Sequence, residues 1–357
     1  MRDPYEPIAW ANGAVRLLDQ TRLPQETTYL DLDSVEEVAE AIRVMRVRGA
    51  PAIGITAAYG LALAAQGAPQ GPDGAVALAV RRAAEVLAAT RPTAVNLRWA
   101  LDRVVRVVDA SEGDGTARQA VLAEARAIHE EQRAADLAMA EAGAILLPPG
   151  ATVLTHCNTG PLATGGAGTA LGVVIEGYRA GRVAHVLVDE TRPRLQGARL
   201  TAWELQQHGV PFDVIADGAA ASFLASGTVH AAIVGADRIA RNGDTANKVG
   251  TLGVAVAAQH FGVPFYVAAP VSTFDFDAPD GAHIPIEERD AAEVLDAGGV
   301  RVAAPGATAR NPAFDVTPTS LVTAFVTEAG VIRPPFDEPL GMLAARAARS
   351  SRKARVS

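Results

Sequence analysis

Apolar and polar residues alternate along roughly the first 35 residues, and a period of two is typical of half-buried β-strands. The alternation is clearest at 14–19 and at 27–30, on either side of a break at Leu23-Pro24. This pattern predicts a small antiparallel sheet at the start of the chain.

The apolar period then changes to that of amphipathic helices. Ser34 and Glu37 have the spacing of a helix capping box, so a helix is expected to begin there and to run to about Arg46. An Ala-rich helical stretch follows a break at 48–51, and long amphipathic helices are expected at about 73–90, 95–110 and 115–146. Residues 1–145 are therefore predicted to form a mainly helical N-terminal domain behind the small sheet.

After Pro148-Pro149-Gly150, short apolar runs alternate with helical windows. This alternation predicts a parallel, doubly wound sheet, whose ligands bind at the carboxyl ends of the strands. The runs expected to form strands are 152–155, 183–188, 212–215, 231–234, 264–268 and 300–302. This α/β domain is expected to span 146–345, and the basic, small-residue-rich segment 346–357 is expected to be a disordered tail.

Composition narrows the classes of function. The 357 residues include 32 Lys and Arg against 40 Asp and Glu, a net charge of -8 without a large basic block, which argues against nucleic-acid binding. A few cations and helix N-termini still suffice to bind one phosphate. No apolar run reaches the ~20 residues needed to cross a bilayer, and the N-terminal residues do not have the pattern of a signal peptide. The chain is expected to be cytoplasmic, with no membrane partner.

Cys157 is the only cysteine, which excludes an intramolecular disulfide and a cysteine-based zinc cluster. The histidines are scattered without the spacing of a metal site, so no metal is expected. Cys157 lies between His156 and Asn158, where a predicted strand runs into a Gly- and Thr-rich turn and then a helix. A lone cysteine is most often a small buried apolar side chain. A helix start at this position would stabilise its thiolate, which favours a functional thiol.

Two further polar clusters follow predicted strands. The first begins with Asp189 and Glu190 and includes Gln196. It is either a salt-bridged surface loop or a place where an acid orients an arginine and Gln196 reaches a substrate hydroxyl. Asp237 begins the second cluster, where a carboxyl group after an apolar strand is poorly solvated and is more easily kept protonated. Lys248 is expected at the start of the next helix, where a bound phosphate would compensate its charge.

Arg48 and Arg91 lie at polar kinks within the helical half of the sequence. Each belongs either to a simple break or loop, or to a set of cations that reach toward a ligand between the domains, and periodicity does not decide between these readings. The glycine spacing after Cys157 matches neither a dinucleotide-binding loop nor a Walker A loop.

Taken together, these clusters resemble the methylthioribose-1-phosphate isomerase family, which shares a superfamily with the regulatory subunits of the eukaryotic guanine-nucleotide exchange factor for translation initiation. Each motif alone is moderately specific, whereas their order and spacing together are highly specific. The matching segments lie at 17–24, 48–54, 91–97, 155–160, 190–193, 196–201, 235–238, 247–251, 284–289 and 311–318. They cover nearly the whole chain.

The resemblance implies a small N-terminal sheet with helices, then a Rossmann-like domain, in a homodimer that needs no cofactor. It implies that Cys157 and Asp237 form the catalytic pair. It also implies substrate contacts from Arg48, Gly49, Ala50, Arg91, Gln196, Asn247 and Lys248. One departure lies on a predicted helix, where the family often carries an acidic residue and then an Asn in place of Gln132 and Asp136.

The implied reaction converts closed-ring 5-methylthioribose 1-phosphate to the open ketose 1-phosphate in methionine salvage. Asp237 would protonate the ring oxygen, while Cys157 would either carry the C2 proton to C1 or only shape the site for a direct hydride shift. The alternatives are a same-family isomerase of 5-deoxyribose 1-phosphate or ribose 1,5-bisphosphate, and a non-catalytic regulatory binding subunit. A redox thiol protein is disfavoured because there is no second cysteine.

Overall fold

The protein has a small antiparallel sheet near its N-terminus and a larger, mostly parallel sheet in its second half, which confirms the predicted α/β class. These features come from a computed structural model that describes residues 4–69, 74–92 and 94–345. The segment 346–357, predicted to be a disordered tail, lies outside these residues. Within the described part of the chain, no helix is both long enough and apolar enough to cross a membrane.

The chain divides by packing into two compact units. The first combines the chain up to Leu137 with Thr159–Gly168, and the second combines Ala138–Asn158 with the chain from Thr169 onward. The division differs from the predicted boundary at residue 145 because it falls within one long helix and because the Gly- and Thr-rich turn is grouped with the first unit.

The N-terminal sheet is three-stranded and antiparallel, as predicted. It consists of β1 (Ile8–Ala11), β2 (Ala14–Leu18) and β3 (Tyr29–Leu32). Helix α1 (Val35–Arg43) follows, and the Ser34 hydroxyl accepts a hydrogen bond from the Glu37 N–H at its start. The helix ends before Arg46 because the backbone at Met45 turns into the left-handed region, with φ 63°.

Longer helices occupy the rest of the first half, close to the predicted positions. They are α2 (Ala50–Gly67), α3 (Ala75–Ala88), α4 (Val95–Asp109) and α5 (Asp114–Ala144). Helix α2 is rich in Ala and is buried along most of its length. Small side chains allow close approach, and α1, α3 and α4 all pack against α2 in the N-terminal core.

The second half contains the remaining elements. The strands are β4 (Ala151–Thr155), β5 (Val183–Asp189), β6 (Phe212–Ile215), β7 (Ala231–Val234), β8 (Arg238–Ala240), β9 (Thr245–Lys248), β10 (Phe265–Ala268), β11 (Phe274–Asp275), β12 (Asp296–Ala297), β13 (Val300–Arg301), β14 (Phe314–Thr317), β15 (Ala324–Thr327) and β16 (Gly330–Ile332). The helices are α6 (Pro161–Thr164), α7 (Ala170–Arg179), α8 (Ala202–Gln207), α9 (Ala220–Ala225), α10 (Thr251–His260) and α11 (Ala292–Leu295).

The large sheet has seven strands in the order β16-β15-β10-β7-β4-β5-β6. Its neighbours are parallel except for the edge pair β15 and β16. The chain proceeds outward from β4 through β5 to β6, and then outward in the opposite direction from β7 through β10 to β15. This is the doubly wound arrangement, and its strand order reverses between β4 and β7.

A separate four-stranded sheet, in the order β11-β8-β9-β14, was not predicted. In it, β9 pairs with β14 in antiparallel register, with Asn247 opposite Asp315 and Lys248 opposite Phe314. This sheet therefore positions two of the predicted substrate contacts.

The apolar run at 300–302 does not join the large sheet, so that prediction was wrong. It contributes β13 to a two-stranded hairpin with β12, and Val300 and Val302 are 65% and 64% exposed. Two adjacent glycines, Gly298 and Gly299, turn the chain back on itself there, with φ of 59° and 81°. The large sheet instead takes β15, which is buried throughout. Short apolar runs alone do not distinguish these two cases.

Candidate active site

The reversal of strand order between β4 and β7 brings two polar chain segments to one edge of the sheet. The two strands are parallel neighbours, with Thr155 opposite Ile233. Cys157 follows the end of β4, and Asp237 follows the end of β7. Ligands of doubly wound sheets bind at the carboxyl ends of the strands where the order reverses. Both predicted catalytic residues therefore lie where a ligand site is expected in this sheet.

The backbone of Cys157 is strained. Its φ is 67°, in the left-handed region that residues other than glycine seldom adopt. The Cys157 N–H donates to Thr191 Oγ1 at 2.9 Å, and the Cys157 carbonyl accepts from Thr201 Oγ1 at 2.7 Å. The side chain is half-buried. Two threonine hydroxyls thus hold the peptide groups on either side of the thiol, which limits the directions in which it can point.

The loop that supplies Thr191 is itself anchored. Thr191 also has a left-handed φ, 63°, which is rare for a β-branched residue. Its hydroxyl donates to the Asp189 carbonyl at 2.9 Å, and its N–H donates to Asp217 at 2.7 Å. Asp217 also accepts from the Arg192 N–H at 2.7 Å. Because one carboxylate binds two successive N–H groups, the loop is held in this strained conformation.

The helix expected after Cys157 is only one turn long. Helix α6 ends at Thr164, and α7 begins at Ala170. Gly165 and Gly168 interrupt the helical conformation between them, with φ of 76° and 88°. A single turn sums few peptide dipoles. The structure therefore provides little of the helix-start stabilisation that the sequence predicted for the Cys157 thiolate.

His156 and Asp189 form a buried pair beside Cys157. His156 Nδ1 lies 2.8 Å from Asp189 Oδ2, and His156 Nε2 lies 2.9 Å from the Val249 carbonyl oxygen. A carbonyl only accepts, so Nε2 carries a hydrogen, and one further proton is shared between Nδ1 and the carboxyl group. Burial opposes the charged imidazolium, but the hydrogen bond and charge of Asp189, the charge of Asp217 and the bond to the Val249 carbonyl together outweigh burial and raise the pKa of His156. Burial raises the pKa of Asp189. Because both pKa values are raised, the shared proton stays between His156 and Asp189.

Together with Asp217, this pair is the one group among the described residues whose composition and spacing would suit a metal ion, with ligand atoms within 4.8 Å of one another. Both ring nitrogens of His156 and both oxygens of Asp217 already form hydrogen bonds with protein groups. The group therefore ties loops together. The sequence left open a salt-bridged surface loop and an acid that orients an arginine. In the structure Asp189 is buried and orients His156 instead of an arginine.

Gln196 begins a helical segment that includes a π-turn at Gly197–Thr201 and continues into α8. Such turns occur frequently at functional sites. Gln196 is only 8% exposed, and its Oε1 accepts no hydrogen bond within the described part of the chain. Because a buried acceptor without a donor is costly, this oxygen is suited to a ligand hydroxyl. A Cβ at Gly197 would lie 1.7 Å from the Asp189 carbonyl oxygen, so this close approach requires glycine.

Asp237 is more exposed than the sequence predicted. Its N–H donates to the Ala246 carbonyl at 3.0 Å, which joins the end of β7 to β9. Its side chain nevertheless lies at the surface. The reason is that the chain turns directly into β8 at Arg238 and carries the carboxyl group away from the apolar interior of β7. The expectation of a poorly solvated carboxyl group was therefore wrong.

Lys248 ends β9 and does not begin a helix, because α10 starts only at Thr251. Its Nζ donates to the Ala313 carbonyl at 2.7 Å and lies 4.5 Å from the centroid of the Phe314 ring. It forms no ion pair with any carboxylate in the described ranges. The neighbouring Asn247 is buried, and its Nδ2 donates to Thr251 Oγ1 at 2.9 Å. The Lys248 ammonium thus has its direct contacts with neutral groups. Burial raises the pKa of Asp315 and the charge of Lys248 opposes this rise, so the ammonium also interacts with that carboxyl group at longer range.

The start of α10 already has an anion of its own. Asp315 accepts hydrogen bonds from the Gly250 N–H at 2.7 Å and from the Leu252 N–H at 3.1 Å. The expectation that a phosphate would compensate a lysine at this helix start was therefore wrong, because a carboxylate caps the helix and the lysine lies before it.

Four predicted substrate contacts belong to the first unit: Arg48, Gly49, Ala50 and Arg91. Both arginines are half-buried, and Thr93, in the same motif as Arg91, lies outside the described residues. Gly49 has φ 97°, and a Cβ there would lie 2.3 Å from the Ala163 carbonyl oxygen. Glycine is therefore required where the turn before α2 packs against α6.

Asp136 holds the Gly- and Thr-rich turn within the first unit. Its carboxylate accepts from the Gly168 N–H at 3.0 Å and from Gln132 Nε2 at 2.7 Å. Burial, opposed by these bonds and by others from Thr164 and Ala167, raises the pKa of Asp136 to about 6. In the sequence, Asp136 is visible only as a change on a helix, whereas the structure shows it in contact with the turn.

Sequence reasoning assigned no role to Thr191 or Thr201. Their bonds to Cys157 span 34 and 44 positions of the chain, and nothing in a single sequence signals such a pairing. His156 had a weak signal, since it is a histidine directly beside the lone cysteine.

Residues 46–334 of the chain match the Initiation factor 2 subunit family. The chain is 58% identical over 334 residues to a protein of Thioalkalivibrio sulfidiphilus named methylthioribose-1-phosphate isomerase, covering 93% of this chain and 95% of the relative. It is 52% identical over 345 residues to a protein of the same name from Anaeromyxobacter sp., covering 96% and 99%.

Two solved structures are similar along nearly the whole chain. The 5-methylthioribose 1-phosphate isomerase from Pyrococcus horikoshii OT3 superposes with a TM-score of 0.91 at 44% identity, covering 95% of this chain and 96% of the other. The translation initiation factor eIF-2B, subunit delta, from A. fulgidus superposes with a TM-score of 0.86 at 42% identity, covering 93% and 97%.

Proposed function

The chain belongs to the initiation factor 2 subunit family, and we propose that within this family it converts 5-methylthioribose 1-phosphate to 5-methylthioribulose 1-phosphate. It is thus an aldose–ketose isomerase that acts on a sugar phosphate. The observation that carries the proposal is the position of Cys157 and Asp237 after the two strands between which the sheet order reverses. Similarity to proteins named methylthioribose-1-phosphate isomerase supports the choice of substrate, and with it a role in methionine salvage.

The reaction moves one hydrogen from C2 to C1 of the sugar. A phosphate on C1 blocks simple opening to an aldehyde, so the C1–O bond of the ring must break with a proton delivered to the ring oxygen. The chemistry therefore requires an acid near the ring oxygen and, on the proton route, a base near C1 and C2. A carboxyl group and a thiol at neighbouring strand ends are side chains of these two kinds.

Asp237 acts in this proposal as the acid and Cys157 as the proton carrier. Asp237 protonates the ring oxygen as the C1–O bond breaks. Cys157, as thiolate, takes the C2 proton to form an enol phosphate and then returns it to C1, while the C2 hydroxyl proton passes back to Asp237. The hydrogen bonds from Cys157 to Thr191 and Thr201 support this role, because both transfers need the thiol in one direction. In the alternative route, hydride passes directly from C2 to C1 and Cys157 only shapes the site.

The exposure of Asp237 adds a condition to its role. An acid in contact with water exchanges its proton freely, so substrate has to cover this carboxyl group as it binds. Acid catalysis by Asp237 therefore depends on the bound sugar excluding water from the strand ends.

The substrate contacts are proposed from charge and from unsatisfied hydrogen-bonding capacity. Lys248 forms no ion pair with a carboxylate among the described residues, which suits its ammonium group to the phosphate. Gln196 has a buried Oε1 suited to accept from a sugar hydroxyl. The resemblance adds further proposed contacts, which are Arg48, Gly49, Ala50, Arg91 and Asn247.

A regulatory binding subunit is the main rival function, favoured by the similarity to an initiation-factor subunit. The presence of a thiol and a carboxyl group at the switch point favours the enzyme, because binding alone does not require this pair. A homodimer is also proposed from the resemblance. Light scattering of the purified protein would test the dimer.

A panel of substrates tests the function directly. Purified protein is incubated with the 1-phosphates of 5-methylthioribose, 5-deoxyribose and ribose and with ribose 1,5-bisphosphate, and ketose formation is followed by NMR. We expect kcat/KM to be highest for the methylthio sugar by about tenfold or more, since filling an apolar pocket discriminates on this scale. Preference for another sugar would change the substrate assignment. Ketose from none of them would favour the regulatory subunit.

A further inference from the structure

The turn that carries Lys248 is attached to the Cys157 segment through one histidine. His156 Nε2 donates to the Val249 carbonyl at 2.9 Å. Its ring also lies against Gly250, where a Cβ would be 2.7 Å from the ring atom Cε1. Gly250 has φ 108°, so both the backbone and the ring require glycine here. The turn at 248–250 is therefore shaped around the imidazole.

The opposite side of this turn is fixed to the four-stranded sheet. The Val249 N–H donates to the Ala313 carbonyl at 3.2 Å, and Asp315 accepts from the Gly250 N–H at 2.7 Å. His156, which follows β4, attaches the same turn to the large sheet. The contact through His156 thus sets how the lysine-bearing strand end is placed against the thiol-bearing strand end.

Asp189 decides which nitrogen faces the turn. Its Oδ2 lies 2.8 Å from His156 Nδ1, and both side chains are almost fully buried. Whether the shared proton resides on the ring or on the carboxyl group, Nε2 carries a hydrogen that points at Val249. A carboxylate behind a histidine orients the ring in the same way at many functional sites.

We propose that His156 is a positioning residue for substrate phosphate: oriented by Asp189, it holds the Lys248 turn in place relative to Cys157 through the Val249 carbonyl. The inference rests on the proposed function in one respect, which is that Lys248 contacts the phosphate. His156 acts through Val249 and Lys248 and not on the reacting atoms.

Two substitutions at His156 distinguish the role of ring nitrogen Nδ1 from that of Nε2. The amide N–H of His156→Gln can reach the Nε2 position and keep the bond to Val249, whereas His156→Asn reaches only toward Asp189. We expect His156→Asn to raise KM for the sugar phosphate about tenfold or more with a smaller change in kcat. We also expect inorganic phosphate to raise the Tm of the wild-type protein, and His156→Asn should remove this rise. His156→Gln should stay within about threefold of wild-type KM.

His185 offers a matched control. It lies on the same strand as Asp189, and its Nε2 is 2.9 Å from Asp213 in an exposed His–Asp pair. His185→Asn should leave KM and the phosphate-induced rise in Tm unchanged. A wild-type KM together with a wild-type phosphate-induced rise in Tm in His156→Asn would overturn the proposal. So would equal losses in the Asn and Gln variants, because that result would indicate only a general structural role.

Asp189→Asn tests the proposal even if His156→Asn does not melt cooperatively. An asparagine amide can donate to His156 Nδ1. His156 Nε2 then still carries its hydrogen and donates it to the Val249 carbonyl, so KM should stay within about threefold of wild type. A rise of about tenfold would show that charge on the pair matters more than the bond to Val249, and would contradict the proposal. Failure of the proposed function would show as no ketose from the wild-type protein, and the phosphate-induced rise in Tm would still test the inference.

Discussion

Cys157 and Thr191 both adopt left-handed backbone conformations, with φ of 67° and 63°, and a 2.9 Å hydrogen bond joins the N–H of the first to the hydroxyl of the second. Each such conformation costs about 1–3 kcal/mol in a residue other than glycine. The two strained residues belong to loops after neighbouring parallel strands, β4 and β5. The direction of the thiol is therefore set by a contact between loops and not by the local sequence.

Removal of the Thr191 hydroxyl should disturb the thiol. Thr191→Val keeps the shape of the side chain but leaves the Cys157 N–H without its acceptor, so we expect a loss of about 1–3 kcal/mol in unfolding free energy. We also expect kcat to fall about tenfold, since the position of the thiol is no longer fixed. Thr191→Ser keeps the hydroxyl and serves as the control. If the Val variant kept wild-type kcat, the hydrogen bond would have no part in catalysis.

Replacement of the thiol tests Cys157 itself. Cys157→Ser should fold normally and lower kcat by on the order of 100-fold or more, because a hydroxyl is a far weaker proton carrier at neutral pH. Steady-state kinetics and a thermal melt provide the measurement. Turnover within about threefold of wild type would reduce Cys157 to a packing residue.

The carboxyl group of Asp237 is tested by a nearly isosteric amide. Asp237→Asn should lower kcat to a small fraction of the wild-type value, because the amide has no acidic proton to give to the ring oxygen. Since the side chain is exposed, the unfolding free energy should change by less than about 0.5 kcal/mol. A variant that loses activity only because it no longer melts cooperatively would leave the acid role without support.

Asp136 should make the protein less stable as the pH rises from about 4 to 6. Its pKa is about 6 in the folded protein and 3.8 without the protein environment. Over this range the unfolded chain has already lost the proton, so folding becomes less favourable until the native group ionises too. The two pKa values together correspond to a decline on the order of 3 kcal/mol.

Denaturant unfolding at several pH values provides the measurement. Asp136→Asn should remove the decline, because the amide does not titrate. Asp102→Asn, at an exposed position of helix α4, should keep the wild-type profile. An identical decline in the Asp136 variant would assign the titration to another group.

The route of hydrogen transfer can be read from isotopes. If Cys157 carries the C2 proton, the proton exchanges partly with solvent, and turnover in heavy water should place some deuterium at C1 of the ketose phosphate. A direct hydride shift would place none and would retain the label of C2-deuterated substrate in full. NMR of the product provides the measurement. Deuterium from solvent at C1 would exclude a hydride shift as the only route.

Local patterns in the sequence determined a large part of the fold. The capping box at Ser34, the helical periods of α3, α4 and α5, and the short apolar runs of β4 to β7 all depend on neighbours within a few positions. The strand-end positions of Cys157 and Asp237 followed from the same patterns. These elements were predictable because backbone conformation responds mainly to nearby side chains and to the period of burial.

The tertiary structure alone decided which strand ends meet and which groups bond there. The runs at 300–302 and 324–327 are both short and apolar, yet only the second enters the large sheet. His156 bonds to Asp189 and Val249 across 33 and 93 positions of the chain. The chemical character of such residues is written in the sequence, but their partners depend on the order of strands in the sheet. That order results from packing the whole core at once, and no local period encodes it.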